Sequence, residues 1–173
     1  QIDRAFTQAL SEMGLTAENR TACRSLNANV LCVDGVYGNT AEATELLDTS
    51  ISLVGLSDYN AVEGVEPAAL ASDEAILYPV GNFSVPETLN LGGHTVRVAR
   101  VLEEPVFSDV GAYDGADGFV LIVPDDRLAP LYSALIGVPE ADVTDSFYYA
   151  AGFDVPGATP QQCAALAHRI SEL

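Results

Sequence analysis

The chain has 173 residues, a formal net charge of −18 and a hydrophobic fraction of 49%. It has 25 acidic residues and only seven basic ones, all of them arginine. Nucleic acids and anionic lipids bind through clusters of Lys and Arg, so this composition excludes a nucleic-acid partner and favours cationic partners. Solubility or adaptation to salt explains an acidic composition equally well. The apolar content and length are those of one folded domain.

The first quarter of the chain is predicted to be mainly helical. Apolar residues recur at helical spacing over residues 2–13, and Gly14 follows as a stop. A second helix is expected over 16–26 with Thr16 as its N-cap, followed by a strand over 30–36. A loop and a further helix are expected over 38–47.

The next segment predicts a strand, two helical turns and another strand. Apolar and small residues alternate over 51–56, and Ser57 can cap a helical turn that Gly64 ends. Pro67 suits the first turn of a second short helix. The apolar run 75–80 then predicts a buried strand.

Strands and helices also alternate in the second half of the chain. Gly92-Gly93 indicates a tight hairpin turn, and Asp125 is expected to cap a helix that runs to Leu135 before Gly137. The final helix is expected to run from residue 159 or 160 to 173. The predicted strands are 87–91, 95–102, 119–123 and 145–153, and an exposed loop is expected at 107–118. The sum is an α+β fold, a single compact domain with a mixed or mainly antiparallel sheet and flanking helices.

One group of residues resembles a known family. The Ser57-Asp58-Tyr59-Asn60 start, the acidic pair Asp73-Glu74 before an apolar strand, and the strand-helix unit 119–135 resemble the extracellular domain of FtsX-like (MacB-type) ABC transporter permeases, closest to the bacitracin-efflux type. The resemblance implies that residues 1–173 are an extracytoplasmic domain excised from a larger membrane permease, at the extracellular face of a bacterial membrane. It implies a non-catalytic ligand-sensing role.

The same resemblance implies partners. These are the membrane-spanning remainder of the permease and a separate cytoplasmic ATPase subunit. Antimicrobial peptides or lipid-linked cell-wall intermediates are the implied ligands. A free secreted or surface interaction domain without a transport role is the alternative.

Motifs for common enzyme chemistry are absent from the sequence. It contains no G-x-S-x-G pentapeptide, no G-x-G-x-x-G fingerprint and no lysine for a P-loop. His94 and His168 lie far apart, which argues against a metal held by imidazole. We therefore expect no cofactor and no catalytic activity.

Aromatic and acidic residues near the Gly-rich loop are the candidate ligand cleft. Such a cleft would have apolar walls and acidic rims, and would suit a cationic amphipathic peptide or a lipid-linked precursor complexed with one. Its residues are Phe107, Tyr113, Asp114, Asp117 and Tyr148. In the alternative interpretation Phe147 and Tyr149 are core residues and Tyr148 is half exposed. Calcium binding, or an enzyme built on the Asp109 to Asp117 loop, is a weaker hypothesis because the spacing is not that of an EF-hand.

The three cysteines do not form a metal motif. Cys23, Cys32 and Cys163 have no C-x-x-C spacing, which excludes a zinc ribbon. Cys23 and Cys32 either form a disulfide or are buried free thiols. Cys163 is expected to pack in the core from the last helix.

Overall fold

The protein has an α+β fold with a mixed sheet, as predicted. The computed structural model describes residues 2–38, 49–62, 64–107 and 117–173. The helices are α1 (Ile2–Met13), α2 (Leu56–Asn60), α3 (Leu128–Ile136) and α4 (Pro160–Glu172). The strands are β1 (Glu18–Val33), β2 (Val36–Gly38), β3 (Thr49–Gly55), β4 (Glu74–Val80), β5 (Thr88–Leu91), β6 (His94–Val101), β7 (Gly118–Val123) and β8 (Tyr148–Asp154).

The chain divides into two compact units. One comprises Gln1–Thr21 with Gly152–Leu173, and the other comprises Ala22–Ala151. In the parts of the chain that are described, no helix has the length and apolar character needed to cross a bilayer.

The strands of the larger unit form a closed circuit of pairs. The order is β2-β5-β6-β4-β7-β3-β1-β8, and β2 also pairs with β1. Three pairs are parallel, namely β3 with β7, β4 with β6 and β2 with β5, and the antiparallel pairs include the β1-β2 and β5-β6 hairpins. Asp34 and Gly35, both with positive φ, make the tight turn of the first hairpin.

The two faces of this sheet carry separate hydrophobic clusters. Alternate residues of β7 explain the division, because Phe119 and Leu121 belong to one cluster while Val120 and Ile122 belong to the other. All six residues of β7 are buried, which confirms the predicted central strand. Helix α3 packs its apolar side on the first cluster, and Tyr59 of α2 belongs to the second.

The smaller unit packs α1 with α4. The rings of Phe6 and Phe153 meet edge to face with centroids 4.2 Å apart. Arg169 donates to the Glu12 carboxylate at 2.7 Å. Thr159 and Gln162 form a reciprocal capping box at the start of α4. The predicted first and last helices are therefore confirmed.

The second predicted helix, over 16–26, is wrong, because residues 18–26 form the first half of β1. The strand prediction over 30–36 is wrong in its bounds, because β1 ends at Val33 and the turn at Asp34 separates it from β2. The physical signal for a strand is the alternation of Leu26, Ala28 and Val30, which all enter the first cluster.

Local corrections concern the segment after β3. Helix α2 ends at Asn60 rather than Gly64, and Ser57 makes no capping hydrogen bond through its side chain. No second helix begins at Pro67, since residues 65–70 have no regular secondary structure. Instead, the Asn60 amide ties this loop by donating to the Ala68 carbonyl at 2.9 Å and accepting from its N–H at 2.8 Å.

The outcomes of four further predictions differ. The hairpin at Gly92-Gly93 is confirmed, and both glycines have positive φ. The strand predicted over 145–153 begins later, at Tyr148, because a 3-10 helix occupies Glu140–Ser146. Helix α4 buries Leu166 and leaves Cys163 exposed, so the predicted core role of Cys163 is wrong. The helix expected over 38–47 lies outside the described residues except at Gly38.

Candidate functional site

The carboxyl ends of β3 and β7 form a topological switch point. These strands are parallel neighbours, with Gly55 paired to Val123. Helix α2 follows β3 and packs on one face of the sheet, whereas α3 follows β7 and packs on the other. In α/β sheets a crevice opens where helices from adjacent parallel strands diverge in this way, and ligands bind there.

Asp125 joins the two sides of this switch point. Its Oδ1 accepts a hydrogen bond from the Ser57 backbone N–H at 3.1 Å. A Cβ atom on Gly55 would lie 3.2 Å from Leu128 Cδ1 and press on the Asp125 carboxylate, so the missing side chain allows the close approach. The prediction that Asp125 caps its own helix is wrong, since α3 begins at Leu128 and has Arg127 at its N-cap position. Its carboxylate instead accepts a hydrogen bond from the first turn of α2.

Arg24 adds a cation and an aromatic contact to the same place. Its Nε lies 3.4 Å from Asp58 Oδ2, and its guanidinium carbon lies 5.2 Å from the centre of the Phe147 ring. The side chain of Arg24 is 42% exposed and that of Asp58 is 19% exposed. We call Arg24, Asp58, Asp125 and Phe147 the switch-point cluster.

The electrostatic state of Asp58 is set mainly by burial. Burial raises the pKa of the Asp58 carboxyl, the nearby Arg24 guanidinium lowers it, and the negative charge of Asp125 raises it again. The effect of burial on the pKa is the larger one, so the Arg24 guanidinium does not fully offset the free-energy cost of burying the Asp58 carboxylate. Among the described residues, Arg24 is the cation that pairs with Asp58, while Asp125 adds a second negative charge nearby.

The buried thiol of Cys23 lies near this cluster. Burial, together with the Asp58 charge, raises the pKa of Cys23 to about 12. All three cysteines are free, and Cys32 and Cys163 are exposed. The expectation of buried free thiols is therefore confirmed for Cys23 and wrong for Cys32.

We expect Cys32 and Cys163 to react with a thiol reagent such as DTNB in the native protein, and Cys23 to react only after unfolding. The thiolate is the reactive form, and Cys23 is both buried and held as the thiol. Counting released chromophore before and after adding denaturant checks this. Reaction of all three thiols at one rate in native buffer would show that Cys23 is accessible.

The residues predicted from sequence as a ligand cleft lie in different environments. Phe107 is 5% exposed and belongs to the second hydrophobic cluster. Asp117 is exposed at the start of β7, where its Oδ1 accepts from the Asn82 N–H at 2.9 Å. Tyr148 is 54% exposed on β8. Tyr113 and Asp114 lie outside the described residues, so the cleft stays a prediction.

The space beside Phe107 is small. Its apolar lining includes Tyr78, Leu102 and Val120, and its volume is about 10 Å³. That volume is about what one water molecule needs, and a peptide side chain requires more. A peptide side chain at this position would therefore need the lining side chains to move.

The metal hypothesis concerns the same loop. Within residues 2–38, 49–62, 64–107 and 117–173, no group of three or more acidic, histidine or cysteine side chains is placed to hold a metal ion. Asp109 and Asp114 lie outside these ranges, so calcium binding there stays a prediction.

Sequence reasoning missed the switch-point cluster. Asp58 and Asp125 each follow a buried apolar strand by two or three residues, which is the signal that could have identified them. The adjacency of β3 and β7 was needed to bring the two carboxylates together, and it is not visible in the sequence. Arg24 was missed because its segment was interpreted as a helix.

Comparisons with known proteins identify no family. No protein-family model and no curated protein matches the chain. Among solved structures, a Bacillus anthracis protein with a provisional description as a lipoprotein is similar at a TM-score of 0.44 and 10% identity, over 99% of this chain and 87% of that protein. A likeness of this strength carries no argument about function.

Proposed function

We propose that this chain is a ligand-binding domain whose ligand presents cationic groups to the switch-point cluster. The observation that carries the proposal is the pair Asp58 and Asp125 at the carboxyl ends of two parallel strands, where Arg24 is the ion-pair partner of Asp58 within the described part of the chain. An incoming ammonium or guanidinium group would supply the missing positive charge. The Phe147 ring, which already faces a guanidinium, offers a cation–π surface.

The surrounding surface favours the same class of ligand. A net charge of −18 attracts cations over the whole molecule and speeds their association. Tyr148 and Tyr149 follow Phe147 directly, and each is 54% exposed. Exposed tyrosines provide apolar contact area with a polar tip. A cationic amphipathic peptide therefore fits this surface better than an anionic lipid-linked pyrophosphate.

We further propose that the domain acts at the extracellular face of a bacterial membrane, as part of an FtsX-like ABC permease coupled to a separate ATPase subunit. The proposal rests on the residues between 51 and 135 that resemble that family. Strands β3, β4 and β7 and helix α3 are compatible with that resemblance, whereas the short helix expected at Pro67 is not formed. Its test is the parent gene, where apolar segments of about 20 residues on both sides of the chain are required. Their absence would favour a free surface domain instead.

Asp58→Asn is expected to weaken binding of a cationic peptide about tenfold, or about 1.4 kcal/mol, and to raise thermal stability at neutral pH. Because burial raises the pKa of Asp58, the ionised carboxylate costs stability above that pKa. The stability gain should shrink as the pH falls through the pKa of folded Asp58 and vanish below the lower pKa of the unfolded chain, where the wild-type carboxyl is neutral in both states. Calorimetric titration and thermal melts across pH measure both effects.

Asp34→Asn is the matched control. It removes the same charge from an exposed side chain in the β1-β2 turn, and the antiparallel pairing of β1 with β3 puts this turn at the end of β3 opposite the switch point. It should change peptide affinity less than twofold, as expected for an exposed charge. Equal losses for Asp58→Asn and Asp34→Asn would mean that the peptide responds only to net charge, and the proposed site would then be wrong.

A further inference from the structure

Four buried oxygen atoms on β1 and β3 have no hydrogen-bond partner among the residues that the structure describes. They are Ser25 Oγ, Asn27 Oδ1, Ser50 Oγ and Ser52 Oγ. The three serines are at most 2% exposed, and they are the buried polar residues of the described chain. Four such atoms on two adjacent strands are a pattern that needs a physical explanation.

All four side chains lie on the same face of the sheet. Asn27 is directly opposite Ser52 in the antiparallel pairing of β1 with β3. Ser25 and Ser50 are two residues away from these on their own strands, so they share their direction. The intervening Leu26, Ile51 and Leu53 point into the first hydrophobic cluster on the opposite face. The oxygens thus form one polar row.

The row becomes apolar towards β7. Ser52 pairs with Val120, and Ser50 pairs with Gly118. Val120 belongs to the second hydrophobic cluster, so the polar side chains of β1 and β3 adjoin a packed apolar region. Polar groups beside such a region lose bulk water without gaining a partner, and the three hydroxyl groups and one amide oxygen together would cost much of the stability of a domain.

The spacing of the row matches a water bridge. Directly opposite side chains of an antiparallel pair have Cβ atoms about 4.5–5.5 Å apart. Two hydrogen bonds of about 2.8 Å through one water molecule span about the same distance. Each serine hydroxyl can donate and accept, and the Asn27 oxygen accepts, so water finds the two to four polar partners it requires.

We infer that Ser25, Asn27, Ser50 and Ser52 form a binding site for internal, ordered water molecules that bridge β1 and β3. The side chain of Ser52 lies at the centre of this site, because it faces Asn27 across the strands and has Ser50 beside it. The water completes the hydrogen bonding of an otherwise costly polar row. This inference is independent of the proposed ligand.

Ser52→Ala tests the site thermodynamically. If Ser52 binds water, its removal leaves that water and its other partners short of a hydrogen bond, and the unfolding equilibrium should shift about tenfold towards the unfolded state. If Ser52 is dry and unpartnered, alanine removes an unsatisfied hydroxyl, and the protein should be unchanged or more stable. Urea unfolding measures the shift. Exposed Ser84, changed to alanine, is the control and should change the equilibrium less than twofold.

A direct readout uses nuclear Overhauser effects from water to the protein by NMR. Long-lived water signals at the amide or Cβ protons of Ser52 and Asn27 are expected in the wild-type domain and should weaken in Ser52→Ala. The inference would be overturned if the wild type showed no such water signals, or if the Ser52→Ala variant were as stable as the wild type. Direct hydrogen bonds among the four side chains, without water, would leave the wild type without these signals.

Discussion

Replacing Gly118 by alanine is expected to lower the free energy of unfolding by about 3 kcal/mol or more, the upper end for overpacking. Gly118 pairs with Ser50 on one side and with Val80 on the other. An added Cβ would overlap the Ser50 carbonyl oxygen and lie 2.7 Å from its carbonyl carbon. These are backbone atoms that no rotamer change can move, so β3 and β7 would have to separate. Urea unfolding measures the loss.

Gly35→Ala is the matched control for Gly118→Ala. Gly35 has φ of 79°, and a Cβ there would meet no atom within 4 Å. Its replacement therefore costs only the conformational strain of the left-handed region, about 1–2 kcal/mol. If Gly118→Ala destabilises the protein no more than Gly35→Ala does, the close pairing of β3 with β7 is incorrect, and the switch point loses its basis.

Phe119→Ala is expected to destabilise the protein by about 3–5 kcal/mol. Phe119 is fully buried on β7. Its ring meets Tyr37 edge to face at a centroid distance of 5.6 Å and Phe83 at 4.7 Å. Alanine would leave a cavity between strands that belong to distant parts of the chain, and such a site cannot collapse easily. Chemical denaturation followed by circular dichroism measures the loss.

Two further substitutions are controls for Phe119→Ala. Phe119→Leu keeps most of the apolar volume and should cost less than about 1.5 kcal/mol. Tyr148→Ala removes an aromatic ring that is 54% exposed, and should stay within about 0.5 kcal/mol. Similar effects for all three variants would contradict the placement of Phe119 at the centre of the first cluster.

Local sequence signals were sufficient where one element buries one regular face. Helix α1 could be read from its apolar spacing, and β7 from its unbroken apolar run, because each pattern has a single structural solution. The hairpin at Gly92-Gly93 was equally local, since both positions need positive φ. These predictions needed no knowledge of the partner strands.

The elements that sequence patterns predict wrongly are those whose structure depends on contacts between distant parts of the chain. The segment 18–26 contains residues with tolerable helix propensity, but it is a strand because β1 pairs with β8 and, from Ser25 onwards, with β3. Asp125 looked like a helix cap in sequence because it precedes an apolar helical stripe, yet its carboxylate binds the backbone of α2, 68 residues earlier. The candidate site depends on the same contacts, so sequence periodicity alone could not assemble it.

The switch-point cluster lowers the stability of the fold, because it holds a partly buried carboxylate. The Asp58 carboxylate is held in surroundings that raise its pKa, and Asp125 adds a second negative charge nearby. Groups kept in unfavourable states are more frequent at functional sites than elsewhere, because function can require what stability disfavours. This explains why we expect Asp58→Asn to strengthen the fold while it weakens binding.

The central claim is that cationic ligands bind at the switch point between β3 and β7. Calorimetric titration of the domain with a cationic amphipathic peptide, at about 0.1 M and about 1 M salt, separates site binding from general attraction, because the screening length falls from about 10 Å to about 3 Å. We predict saturable binding that persists at high salt, with NMR shift changes at Ser57, Asp58 and Arg24. Binding that disappears in salt, or shift changes confined to other surfaces, would contradict the claim.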